Sequence, residues 1–173
     1  MIRASRRIVL GAAFLLVAAG AFMTSQSAPF GFWQAIGRAT GTRADLDPID
    51  FATLERRSSP NDALVCPEDV CPKARADRPA PEFAMSVGQL KERLGAAILA
   101  EPRVQALAAP SENHLRFVQR SFLMRYPDVV DVLVLPRGEA RSTLALYSRS
   151  AVGHSDLGVN RARLERWLAA FTP

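Results

Sequence analysis

At 173 residues with a formal net charge of +5, the chain has the length of one ordinary domain. Setting aside Arg3, Arg6 and Arg7, which precede any acid, 19 basic residues face 17 acidic ones. The remaining +2 is too small a surplus for nucleic-acid binding, which needs a clustered basic face.

The N-terminus predicts export. Arg3, Arg6 and Arg7 form a positive segment ahead of an uncharged apolar run, residues 8–23. A run of that length falls short of the roughly 20 residues that span a bilayer and slightly exceeds the h-region of a cleaved signal. Residues 1–28 therefore read as a signal peptide or a membrane anchor. Ala19-Gly20-Ala21 offers a cleavage site, whereas Phe32 and Trp33 suit an interface beyond a retained span. On either reading the positive-inside rule places the bulk of the chain in the cell envelope. It is then an inner-membrane protein with a periplasmic domain, or a periplasmic one if the signal is cleaved. The membrane is a partner through residues 8–23 if they stay.

Residues 29–83 read as a spacer and an extended Pro-rich arm, anchored on the domain by Phe51, Leu54, Leu64 and Val65, with one short strand at Ile49–Leu54. Residues before proline are pushed out of the helical region, so the Arg78–Glu82 stretch should be extended. Cys66 and Cys71 are the only cysteines. In an oxidising compartment such a pair predicts a structural disulfide. A redox pair usually has two intervening residues, and a metal site needs more ligands than His114 and His154 supply. No metal and no cofactor are expected.

Residues 84–173 read as an α+β domain. Ser86 and Gln89 form a capping box, and Val87, Leu90, Leu94, Ala97 and Ile98 share a helical face. Four strand-like runs follow at Arg103–Ala108, His114–Ser121, Val129–Leu135 and Arg141–Arg149, with a hairpin turn at Pro136–Glu139. Arg120, Arg125, Tyr126 and Asp128 form a second polar cluster, in which Tyr126-Pro127-Asp128 reads most simply as a turn before the third strand. A final helix, about Arg161–Phe171, takes Asn160 as N-cap and presents Leu164, Trp167, Leu168 and Phe171 at i, i+3, i+4, i+7. The prediction is a mostly antiparallel four-stranded sheet with two helices on one face.

The joint between the last strand and last helix is the densest in reactive groups: Ser148, Arg149, Ser150, Gly153, His154, Ser155, Asp156 and Asn160. Glycines and a helix N-terminus favour anions, so the joint is a candidate site for a small anionic ligand or a protein partner. The same groups could instead cap the helix, with Arg149 paired to Asp156. Adjacent His154-Ser155-Asp156 cannot converge as a catalytic triad. A hydrolase-like alternative pairs His154 with Ser148, Ser150 or Asp156. No catalytic residue is assigned.

The run Ser148-Arg149-Ser150-Ala151-Val152-Gly153-His154-Ser155-Asp156-Leu157-Gly158-Val159-Asn160-Arg161-Ala162-Arg163 resembles the closing signature of a bacterial and plastid family of unknown function, DUF-1499. Pro60-Asn61-Asp62-Ala63-Leu64 with Cys66 resembles the opening segment of a proteobacterial branch, and Arg125-Tyr126-Pro127-Asp128 a mid-domain turn. Ala151 stands where many members have a second arginine, leaving Arg149 as the signature's candidate grip. The resemblance spans roughly residues 50–171 and implies no activity or cofactor.

Overall fold

A computed structural model describes residues 46–123 and 125–171. Seven elements follow one another: β1 (Asp62–Val65), α1 (Val87–Leu99), β2 (Val104–Ala106), β3 (His114–Arg120), β4 (Pro127–Pro136), β5 (Ser142–Ser150) and α2 (Val159–Ala169). The chain is α+β, and its sheet is antiparallel with five strands in the order β1-β5-β4-β3-β2. The expected four strands are all present. The fifth, β1, falls within the segment read as an extended arm and pairs with β5 in the register Asp62↔Arg149.

Alternation along β5 explains how one strand serves two layers. Successive side chains point to opposite faces, so Leu144 and Leu146 join Val130, Val132 and Val134 under the helices, while Ala145 and Tyr147 face the other way. The helical layer is closed by Leu90, Leu94 and Ile98 of α1 and by Leu164, Trp167 and Leu168 of α2. Ser86 caps α1 reciprocally with Gln89. Ala97, expected on the buried face, is exposed.

The opposite face is covered by the segment before α1. Phe51, Leu54, Leu64, Cys66, Cys71 and Ala74 pack there with Tyr147, and Cys66 and Cys71 form a disulfide. The Ile49–Leu54 stretch is not a strand. Asp50 accepts the Ala52 N–H at 3.0 Å and the Thr53 hydroxyl at 3.2 Å, and this local side-chain bonding bends the backbone into a turn. Among the described residues no helix is long and apolar enough to cross a membrane; the apolar run 8–23 lies outside them.

Candidate functional site

Alternation on β5 also sorts the signature. Ser148 and Ser150 share the helical face with Leu146, whereas Arg149 shares the arm face with Tyr147. The residues expected at one joint therefore occupy three environments.

The first is a buried polar layer under α2. Ser148 donates to Asn160 Oδ1 at 2.5 Å, and Ser150 donates to Asp128 at 2.7 Å. Asn160 Nδ2 donates to Ser150 Oγ and to the Asn61 carbonyl. Arg163 completes the layer, reaching Asp128, Gln119, Ser148 and Asn160 at 2.5–2.8 Å. A buried charge is tolerated only when paired and hydrogen-bonded, and here every partner is itself held by another. Asn160 is consequently not the N-cap. The cap position is Gly158, at φ 81°, and Asp156 serves the helix start from two residues upstream by accepting the N–H groups of Gly158 and Asn160.

The second environment is on the arm face and is centred on Asp131, which is fully buried. Arg149 Nη1 lies 2.6 Å from Oδ2 and Arg116 Nε lies 2.7 Å from Oδ1. Arg149 therefore pairs with Asp131 across the β4–β5 ladder, not with Asp156, because it points away from the turn. Burial pushes the Asp131 carboxyl up, but contact with His114 and the charges of Arg149 and Arg116 outweigh it and hold the group below the usual carboxylate range. His114 Nε2 stands 3.4 Å from Oδ1, too far and too poorly aligned for a well-formed hydrogen bond. The same two guanidiniums donate to the carbonyls of Leu46 and Asp47, tying the start of the described chain to mid-sheet. Nearby, burial raises the Tyr147 hydroxyl pKa, as does its hydrogen bond to Asp62.

The third environment is exposed. Gly153, His154, Ser155, Leu157, Gly158 and Val159 are on the surface, and Leu157 is 94% exposed with φ 54°. A positive φ on a bulky residue is a rare, strained state. Among the described residues two further non-glycine residues share it, Arg103 and Arg125, and both lie at this end of the sheet. The Arg103 carbonyl accepts from Arg120 N, and Arg125 sits in the β3–β4 connection. Burial lowers the Arg120 pKa, as does the neighbouring Arg125 charge.

The hydrolase-like pairing is not assembled by this geometry. The Ser148 and Ser150 hydroxyls donate into the buried layer, the Asp156 carboxylate is occupied by backbone N–H groups, and His154 is on the surface. Among the described residues no group of three or more His, Cys, Asp or Glu side chains is placed to hold a metal. An open groove of about 720 Å³ runs beside α2, lined by Glu55, Arg56, Lys73, Arg75, Asp77 and Arg161 among others. Arg161 and Arg56 both bind Asp77, at 2.8 and 3.1 Å.

Sequence reasoning did not single out Asp131, Asn61, Gln119 or the role of Arg163. Period-two alternation was the available signal for Arg149, since it separates that residue from Ser148 and Ser150. Asn61 donates to the Gly153 carbonyl at 2.7 Å, and Asp128 holds both Ser150 and Arg163. The three segments that carried the resemblance, around Asn61, Arg125–Asp128 and Ser148–Arg163, thus meet at one end of the sheet. No curated protein and no solved structure matches the chain. A family model does match, over residues 43–171: the chain belongs to the family described as Protein of unknown function (DUF1499).

Proposed function

We propose that this protein is a non-catalytic docking domain of the bacterial cell envelope. In this reading it is exported, held at the outer face of the inner membrane or released to the periplasm according to the fate of residues 1–28, and it engages its partner at the Gly153–Val159 turn. One observation carries the reading: three segments far apart in sequence converge on a single sheet end, and their buried members brace a turn whose own side chains face solvent. Strained backbone persists only where its surroundings over-determine it, and such residues cluster at sites of function. Leu157 is such a residue, and its exposure leaves no packing reason for a leucine there.

The test is cross-linking in living cells, with a photoreactive residue placed at Leu157 or, as a control, at Glu139 on the opposite hairpin. A specific adduct at Leu157 and none at Glu139 is expected. Equal labelling of both positions, or none at Leu157 in a folded protein, would overturn the reading.

A second reading has its own observation, the groove beside Arg161. Four cationic side chains there face two acids, which suits a small anion such as phosphate. A ligand selective for the native state raises its stability by mass action. A thermal shift with phosphate that disappears in Arg161→Ala would favour this reading over the turn.

A further inference from the structure

All six large hydrophobic residues exposed among the described residues lie at the end of the sheet that carries the signature turn. Phe122, Leu123 and Tyr126 occupy the β3–β4 connection, and Leu157 and Val159 flank the start of α2. Leu99 closes α1 shortly before the chain reaches Arg103. Strand pairing fixes their common location. Arg120 stands opposite Pro127, Asp128 opposite Ser150, and Ala151 N donates to the Pro127 carbonyl. Scattered exposed hydrophobics are ordinary, but a concentration at one end marks an interaction surface.

Two features select the kind of partner. The apolar side chains sit on chain reversals and at helix ends, and the groove beside Arg161 includes none of them. Projecting tips of this kind fit a deformable phase better than a preformed complement. The charges agree. Arg57 and Arg103 are part-exposed at this end, whereas Arg120 and Arg125 are buried within it. Glu101 is bound there by Arg166 and Trp167, Asp128 is bound by Arg163, and Asp156 is turned to backbone N–H groups. Arg103 lies over the Phe122 ring at 5.4 Å, which keeps a guanidinium level with the most exposed aromatic. Aromatic rings and leucines with arginines behind them are the composition of a membrane interface, and anionic lipid attracts such cations.

We infer that this end of the sheet rests on a lipid bilayer, with Phe122, Leu123 and Leu157 among the headgroups and Arg103 at the level of the phosphates. The inference deepens the docking reading and rests on it. It also fits the chain's own geometry. Residues 24–45 separate the apolar run from the first described residue and reach at most about 75 Å when extended, so a retained anchor holds the domain within range of the bilayer.

The test uses the full chain reconstituted in vesicles. Because both native cysteines are bonded to each other, a single added cysteine takes an environment-sensitive dye uniquely. The positions are Leu123→Cys, Leu157→Cys and, at the far hairpin, Glu139→Cys. In vesicles containing an anionic lipid, dyes at 123 and 157 should shift to the blue and be quenched by bromine-labelled acyl chains, while the dye at 139 stays aqueous. Arg103→Glu should reduce the quenching at 123 several-fold. Aqueous spectra at all three positions, in protein whose circular dichroism shows it folded, would overturn the inference. Shielding at 123 and 157 that needs a protein extract from the envelope would overturn it too, yet leave the docking reading intact; an absence of adducts at Leu157 in cells would sink both.

Discussion

Asp131→Asn should be the most damaging conservative substitution on the arm face, and worse than Arg149→Met. The native arrangement places two guanidiniums on one buried carboxylate. Asparagine keeps the shape but removes the buried negative charge that both guanidiniums share, at the cost of breaking a buried ion pair, about 3–5 kcal/mol. Arg149→Met removes one cation, fills most of its volume, and leaves the Arg116–Asp131 pair neutral. Its cost is that of lost charge-assisted hydrogen bonds, about 1.5–3 kcal/mol. With several degrees of melting temperature per kcal/mol, Asp131→Asn should melt on the order of 10–20 °C lower. Urea denaturation followed by circular dichroism measures all three variants, the double substitution included. The double should cost less than the sum of the singles, because neighbours in one network couple. The pH dependence has a definite sign. A carboxyl held below its ordinary range stabilises fully above the unfolded-chain pKa of about 3.9 and loses that contribution as pH falls through its folded value. The deficit of Asp131→Asn relative to the native chain should therefore shrink below about pH 4. Additive costs, or an Arg149→Met variant less stable than Asp131→Asn, would refute the charge count.

Other substitutions test the signature end and the disulfide. Asn160→Ala should cost about 2–3 kcal/mol, since it strips a buried network; a loss near 1 kcal/mol, typical of an N-cap, would show the network to be unimportant. Leu157→Gly should leave stability unchanged or raise it by about 0.5 kcal/mol, as relief of about 1–2 kcal/mol of left-handed strain exceeds the entropy of a glycine. The same variant should lose its partner adducts from neighbouring positions, and a melting temperature well below native would mean that Leu157 is a packing residue. Reducing Cys66–Cys71, five residues apart, should cost about 2 kcal/mol by loop-closure entropy, read as a shift in urea midpoint with and without reductant.

What could be read in the sequence was whatever local rules decide. Ser86 and Gln89 announced the start of α1 because both halves of a capping box lie within four residues. The apolar stripes of α2 and the long strands β3 to β5 were legible from periodicity for the same reason. Asn160 matches a cap position by local rule, yet its side chain answers to Ser148, Ser150 and Asn61, partners that only tertiary packing supplies. The alternative that paired Arg149 with Asp156 rested on nearness along the chain, whereas strand alternation turns the residue to Asp131. Strand β1 escaped notice because four residues, Asp62–Val65, lie among prolines and bury nearly every side chain, leaving no alternation to see. At the site, the exposed turn was visible as a cluster of small and polar residues, but its support from Asn61 and Asp128 was not.

The position of β5 has a consequence for how the molecule is made. This strand pairs with β1 on one side and β4 on the other, and its alternate residues enter both apolar clusters. Its Arg149 reaches the Asp47 carbonyl across 102 positions of chain. A nascent chain emerging from its N-terminus therefore has neither face of the sheet sealed until residues 142–150 arrive. Contacts so distant in sequence pay their closure entropy late and slow the search, so both layers should assemble, and later melt, as a single cooperative unit.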